Sequence, residues 1–201
     1  MKKSLTLLLA GLTMLSTAQV TSVYAATSKA VFAGGCFWCM EKPFEQLKGV
    51  KGVLSGYTAG AAHTANYRQV SSGKTKHIEA VEVTYDPDVI SYKTLLKTFW
   101  PNVDPFDSRG QFCDKGHHYT AAIFPKNAEE KAAANASKTY YETLLKRSKF
   151  VTKVTDFKSF YPAEDYHQDY YKKNPIRYGG YRWNCGRDNR LESVWGKLAK
   201  H

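Results

Sequence analysis

The apolar run Ala30-Val31-Phe32-Ala33 stops at two consecutive glycines, Gly34-Gly35, and a helical pattern begins immediately afterwards. Such a run reads as a short buried strand, and paired glycines break it by opening backbone conformations that other residues resist. From Phe37 onward the large apolar side chains Phe37, Met40, Phe44 and Leu47 recur on one side of a helix, and Gly49 closes the segment. Pro43 falls inside this stretch, which predicts either a first-turn position for it or a kink. Strand, glycine turn and helix in so few residues fix one chain reversal and place Cys36 at a helix start.

The remaining pattern extends that unit. Residues 52–58 and 78–85 read as strands, the second bounded by Asp86-Pro87. Ser91 caps a helix that runs to about Trp100 and stops at Pro101. Residues 119–124 form a fourth strand. Asn127 and Glu130 make a capping box for a long Ala-rich helix to about Arg147, and residues 150–155 read as a fifth strand. The first six elements run strand, helix, strand, strand, helix, strand, which predicts an α/β fold of the ferredoxin-like, two-layer sandwich kind. Residues 101–118 and 156–201 lack a regular pattern, so a long loop and a long irregular, Tyr-rich C-terminal segment are expected. Long ordered loops in a small domain usually carry function, although a tail that only wraps the core reads the same way.

The N-terminus has a different character. Lys2 and Lys3 precede an apolar stretch, residues 5–15, interrupted only by Thr6, Gly11 and Thr13, and Val23-Tyr24-Ala25 supplies small residues before a cleavage point. This is the pattern of a secretory signal, residues 1–25, cut after Ala25 and too short for a stable membrane anchor. Residues 26–201 are then one domain, exported to the periplasm or the extracellular space. A 43% hydrophobic content is enough for one ordinary core. Losing Lys2 and Lys3 lowers the formal charge of +11 by two, and the remaining basic residues are scattered among acids. That distribution describes a solvated surface and argues against a nucleic-acid partner. A soluble monomer is expected.

Cys36, Cys39, Cys113 and Cys185 all survive cleavage, so in an exported chain two structural disulfides are the plain reading. The setting of Cys36 points elsewhere. At a helix N-terminus free N–H groups favour an anion, and such a position lowers a thiol from its usual value of about 8.5. Cys36 is therefore the candidate nucleophile, with Gly34 and Gly35 expected to let a substrate approach its sulfur. Phe37 and Trp38 point about 100° apart on a helix, so one packs inward and the other stays near Cys36 as an apolar wall. Cys36 and Cys39 alone fit a dithiol redox pair or half a zinc site.

Alternation along 78–85 puts Glu79 on the face it shares with Val81, Val83 and Tyr85. A carboxyl on an apolar face is pushed toward its protonated form, the state a general acid requires. At the strand's end it can equally reach water or an arginine. In the loop, Asp114 offers an acceptor and Tyr119 a donor near Gly116. His117-His118 beside Cys113 hints at a metal. Adjacent histidines diverge in an extended segment, however, and there is no second Cys-x-x-Cys, so no metal and no bound cofactor is expected.

Gly35 to Cys39, "GCFWC", resembles the signature of the A-type peptide methionine sulfoxide reductases. It recurs with "SGYTAG" at Ser55 to Gly60, "HIEAVEVTYDP" at His77 to Pro87, "CDKGHHYTAAIF" at Cys113 to Phe124 and "FYPAEDYHQDYYKKNP" at Phe160 to Pro175. The resemblance covers nearly all of residues 26–201, in order. It implies reduction of the S epimer of methionine sulfoxide, free or in proteins, on an α/β sandwich wrapped by its C-terminal segment. Residue by residue, Cys36 matches the nucleophile, and Phe37 and Trp38 match the wall around the S-methyl group. Glu79 matches the acid at the sulfoxide oxygen. Tyr57 and Tyr119 match the hydroxyls that bind that oxygen, and Asp114 matches the supporting loop residue. A Cys36 sulfenic acid is then converted to a disulfide by a second thiol and reduced by a thioredoxin-like donor.

Many members carry the resolving cysteine in a "GYCG" stretch after "KNP", whereas Ile176 to Gly180 here reads "IRYGG". Cys185 is the first choice for that role, Cys113 the second and Cys39 the third. Two other classes fit part of the pattern. An exported thiol–disulfide oxidoreductase explains Cys36 and Cys39 but leaves Glu79 and the tyrosines without a task. A fully bridged binding domain explains the cysteine count alone.

Overall fold

The computed structural model describes residues 26–147 and 149–199. The expected signal segment, residues 1–25, lies outside them. In chain order the elements are β1 (Ser28–Ala33), α1 (Trp38–Glu45), β2 (Val50–Thr58), α2 (Tyr67–Ser71), β3 (Ile78–Tyr85), α3 (Tyr92–Phe99), β4 (Gly110–Gln111) and β5 (Asp114–Lys115). They continue with β6 (Ala122–Phe124), α4 (Ala128–Leu145), β7 (Lys153–Val154), β8 (Phe160–Pro162), α5 (Tyr170–Lys173), α6 (Pro175–Asn184) and α7 (Arg187–Trp195). No helix among the described residues is long and apolar enough to cross a membrane.

Six strands form a single sheet in the order β7-β6-β1-β3-β2-β8. All pairings are antiparallel except β6 with β7, so the fold is mixed α/β around a mostly antiparallel sheet. Strand alternation divides the core. Ala30, Phe32, Val81 and Val83 face the helices together with Phe44, Leu95, Phe99, Trp100 and Trp195. Val31, Ala33, Ile78 and Ala80 face the other side, where Phe157 and Phe160 of the C-terminal segment cover them. The central strand is thus buried on both faces, as an unbroken apolar run requires.

Helix boundaries follow local chemistry. Ser91 Oγ accepts from Thr94 N at 3.2 Å to start α3, and Asn127 Oδ1 accepts from Glu130 N at 2.8 Å to start α4. Glu130 reaches back to Lys126 N, at 2.7 Å, one residue earlier than a reciprocal box would place it. Left-handed Lys146 ends α4. Pro43 lies within α1, and the helix lasts only until Glu45. The fourth strand is shorter than expected, because residues 117–119 close a tight turn through Tyr119 N to Gly116 O at 3.1 Å.

The long loop is ordered by Gln111. Its buried carboxamide accepts from Asp104 N and donates to Asp104 O, both at 2.8 Å, so a β4–β5 hairpin stands where no regular element was expected. The larger correction concerns the segment expected to be irregular from residue 156 onward: its described residues, 156–199, are mostly helical. Pro175 opens α6, where its missing N–H costs nothing. Gly179 and Gly180 weaken that helix locally, but burial of Tyr178 and half-burial of Tyr181 on the opposite side hold it in place. In α7, Leu191, Val194 and Trp195 are buried at helical spacing. A disulfide between Cys113 and Cys185 ties this segment to the hairpin across 72 residues of sequence.

Leu191 is fully buried in the main core. Leu191→Ala is expected to lower the unfolding free energy by about 2–5 kcal/mol, read from a urea midpoint; an unchanged midpoint would mean α7 does not contribute to the core.

Candidate active site

The turn between β1 and α1 is packed from beneath. A Cβ on Gly34 would lie 2.5 Å from Met40 Sδ, and one on Gly35 would lie 2.6 Å from Gln111 Cβ. Gly35 also has φ +86°, a conformation that favours glycine. The two glycines therefore serve close packing under the turn, a different purpose from the substrate access expected of them. They deliver Cys36, only 6% exposed, to the beginning of α1.

Phe37 is the helix N-cap and has no side-chain cap of its own. Its backbone N–H donates to Glu79 Oε2 at 3.2 Å, so a carboxyl from β3 occupies the end of the helix that Cys36 was expected to exploit. Glu79 is directly opposite Tyr57 in the β2–β3 register, which puts both side chains on one sheet face. Burial pushes the Glu79 carboxyl up to about 8; the Phe37 N–H opposes this, and the charges of Asp114 and Cys39 add to it. At neutral pH the carboxyl is mostly protonated.

The thiols differ from expectation. Cys36 is raised well above an ordinary thiol, first by burial, then by its hydrogen bond to Cys39 and by the charges of Cys39, Glu79 and Asp114. Cys39 is lowered: the Cys36 hydrogen bond outweighs burial, with help from Arg187, Arg182 and the Tyr178 hydroxyl. The pair thus holds its negative charge on Cys39 and its proton on Cys36. Burial of Cys36 and the hydrogen bond it gives Cys39 are the main causes, and the cations of the C-terminal helices add to them on Cys39.

Aromatic rings enclose the pair. Trp38 stacks on Tyr170 at 3.7 Å between centroids and meets the edge of Tyr181 at 5.9 Å. Its indole Nε1 donates to His167 Nδ1 at 3.1 Å, which fixes the ring. Phe37 is fully buried against Tyr57 and His167. The Tyr57 hydroxyl donates to Glu164 Oε2 at 2.9 Å, and Tyr67 N donates to Glu164 Oε1 at 2.8 Å. Tyr119 is half-buried; burial raises its hydroxyl most, and the charges of Glu79, Cys36 and Asp114 raise it further. Asp114 accepts from the Tyr181 hydroxyl.

Cys36, Phe37, Trp38, Tyr57, Glu79, Asp114 and Tyr119 therefore come together as one cluster, with Cys39 beside Cys36. Cys185 does not join them as expected: its sulfur is bonded to Cys113, leaving Cys36 and Cys39 as the free thiols among the described residues. The Asp114 carboxylate lies within 4.8 Å of both bridged sulfurs, but a sulfur spent in a disulfide is a poor metal ligand. Sequence reasoning missed Tyr67, Glu164, His167, Tyr181 and Arg187. Four of them lie in the C-terminal segment read as irregular, and only the quoted motif around residues 160–175 held a signal for Glu164 and His167.

Residues 28–199 match the family described as peptide methionine sulfoxide reductase. The chain belongs to that family. It is 46% identical over 169 residues to the peptide methionine sulfoxide reductase MsrA of Bacillus licheniformis, covering 84% of this chain and 93% of that protein. It is 45% identical over 178 residues to MsrA/MsrB of Vibrio cholerae, covering 88% of this chain but only 47% of that longer protein. Crystal structures of yeast Mxr1 are similar: the reduced form matches with TM-score 0.71 and 28% identity over 79% of this chain and 91% of that one. Mxr1 in complex with Trx2 matches with TM-score 0.52 at 19% identity over 76% of this chain and 90% of that one, a likeness of fold. As a peptide methionine sulfoxide reductase, the chain is an oxidoreductase that uses thiols to reduce methionine sulfoxide.

In this reductase the folded-state value of Glu79, about 8, exceeds that of an unfolded glutamate. Its contribution is fully present below the unfolded value and is lost as pH rises through about 8. Between about pH 5 and pH 9 the wild type should therefore lose stability relative to Glu79→Gln by on the order of 2–4 kcal/mol. Parallel denaturation curves for the two proteins would contradict a neutral buried carboxyl.

Proposed function

We propose that Cys36 attacks the sulfur of the S epimer of methionine sulfoxide, free or in proteins, while Glu79 protonates the sulfoxide oxygen. The observation that carries this reading is the Glu79 carboxyl, buried and bonded to the amide adjacent to a buried Cys36, where burial favours its neutral form. Oxygen leaves a sulfoxide poorly unless it is protonated, and a neutral acid in place lowers that barrier. Phe37 and Trp38 form the apolar wall for the S-methyl group. Tyr119 makes the first hydroxyl contact to the oxygen, because Glu164 holds the Tyr57 proton until substrate arrives. Asp114, bonded by Tyr181, closes the polar side. One apolar wall facing a few donors distinguishes the two sulfoxide epimers.

Atoms and electrons balance without a cofactor. The sulfoxide S–O bond breaks, Cys36 takes the oxygen as a sulfenic acid, and its thiol proton passes to Cys39. Cys39 sulfur then attacks Cys36 sulfur, an S–S bond forms, and the hydroxyl leaves as water. That water carries one proton from Cys36 and one from Glu79; the sulfide receives two electrons from the two thiols. Cys39 replaces Cys185 as the resolving thiol, since it already touches Cys36 while Cys185 is bridged to Cys113. A thioredoxin-like dithiol reduces the Cys36–Cys39 disulfide, a reading supported by the complex that Mxr1 forms with Trx2.

The strand order β6-β1-β3-β2, with α1 and α3 as crossovers, supports a ferredoxin-like two-layer sandwich within the larger sheet. Residues 26–201 act as a single monomeric catalytic domain, exported to the periplasm or the extracellular space after removal of residues 1–25. The basic start, apolar run and Val23-Tyr24-Ala25 support that location.

A single-turnover assay on the two sulfoxide epimers, followed by mass-spectrometric disulfide mapping, tests the mechanism. Cys36→Ser should abolish methionine formation, and retained activity with a dithiol would reject this nucleophile. Glu79→Gln should slow the first turnover by about 10²–10⁴-fold; an equal rate would remove it as the acid. Cys39→Ser should stop recycling by thioredoxin and leave Cys36 oxidised. Recycling lost instead in Cys185→Ser would return the resolving role to Cys185.

A further inference from the structure

Arg187 begins α7 and has no assigned task. Its side chain is only 1% exposed, and it is among the largest fully buried groups in the protein. Nη2 donates to Asn102 O at 2.7 Å, to Gly34 O at 3.3 Å and to Met40 Sδ at 3.3 Å. The guanidinium carbon is 4.4 Å from the centre of the Phe112 ring. Nε and Nη1 are buried without a hydrogen-bond partner among the described residues. A Cβ on Gly35 would come within 3.7 Å of Nη1, so the cation lies directly under the turn that carries Cys36.

The other arginines of the two final helices are treated differently. Arg182 is paired with Asp188 and Arg190 with Asp104, the latter at 2.7 Å, while Arg177 is exposed. Arg187 has no ion pair among the described residues, although it is the most deeply buried of the four. An unpaired buried guanidinium costs several kcal/mol and persists only if something compensates it. Carbonyl dipoles supply part of that compensation. A full negative charge is needed for the rest, and the Cys36–Cys39 dithiol, which begins directly after the Gly34–Gly35 turn, supplies one.

We propose that Arg187 is a positioning residue whose buried charge keeps the negative charge of the dithiol on Cys39. The proposal rests on the dithiol mechanism above and adds to it the group that makes Cys39 the attacking sulfur. Several charged or titratable groups act on Cys39. Cys36 and Glu79 face it from the turn and β3, Tyr178, Tyr181 and Arg182 from α6, and Arg187 from α7. Arg182 shares its charge with Asp188, and Glu79 is neutral, so Arg187 is the uncommitted cation. Asp114 is the other acid that Arg187 favours, but Tyr181 already satisfies it.

With Cys36→Ser and the Cys113–Cys185 bridge intact, Cys39 is the free thiol, and ultraviolet thiolate absorbance against pH reads it directly. Its midpoint should lie below the ordinary thiol value of about 8.5, rise by about one pH unit or more in Cys36→Ser/Arg187→Met, and return toward the parent in Cys36→Ser/Arg187→Lys. In proteins that retain Cys36, Arg187→Met should slow Cys36–Cys39 disulfide formation about tenfold at neutral pH and recover rate as pH rises. A role confined to packing would move neither the midpoint nor the pH profile. A midpoint at or above about 8.5 in Cys36→Ser alone, which needs no change at Arg187, overturns the proposal, as does a midpoint that Arg187→Met leaves in place. Failure to find any Cys36–Cys39 disulfide after turnover would refute the resolving role of Cys39, while the titration would still decide the role of Arg187.

Discussion

The Phe37 amide and the Glu79 carboxyl meet where two opposing effects act on one proton. A helix N-terminus attracts negative charge and by itself would keep the carboxyl ionised. Burial between β3 and α1 works the other way, and it prevails, because the value is pushed up to about 8. The outcome is a proton held beside a sulfur atom in a buried site. Had Cys36 taken the helix amide, it would be a more acidic thiol, and Glu79, without the N–H that opposes burial, would be pushed still further toward its neutral form and no longer be fixed beside the sulfur. Giving the amide to Glu79 leaves the acid in place and shifts the burden of thiolate stabilisation elsewhere.

The C-terminal third of the chain carries that burden. His167 orients Trp38, Tyr170 stacks on it, and Tyr181 reaches Asp114. Tyr178 and Arg182 act on Cys39 from α6, and Arg187 acts on it from α7. The Cys113–Cys185 bridge fastens these helices to the hairpin that contains Asp114. A sheet provides the nucleophile and the acid; a stapled helical cover provides the aromatic wall and the cations. Neither half makes a site without the other.

Local rules made the first half legible. The apolar run, the glycine pair and the helical recurrence of Met40 and Phe44 predict the β1–α1 unit, and strand alternation puts Glu79 on the correct face. Ser91 and Asn127 mark helix starts because a capping side chain bonds only a few residues away. The second half depends on contacts distant in sequence. Gly179 and Gly180 argue against a helix that Tyr178 and Tyr181 nevertheless hold in place by packing. Cys113 and Cys185 give no sign that they pair with each other across 72 residues. Nor does an arginine near a chain's end reveal that it will be buried beneath a turn 152 positions earlier, as the close approach of Arg187 to Gly35 requires. The low acidity of Cys36 has a related reason: the helix start is visible in the sequence, but the burial that raises the thiol is not, nor is the bond from Glu79 to the neighbouring amide.

The most direct test is the protonation state of Glu79 itself. With glutamate carboxyl carbons labelled by ¹³C, an NMR pH titration assigned through Glu79→Gln should place its midpoint at about 8. A midpoint near about 4.3, the ordinary value for glutamate, would mean that the carboxyl beside Cys36 is ionised at neutral pH and has no proton to give.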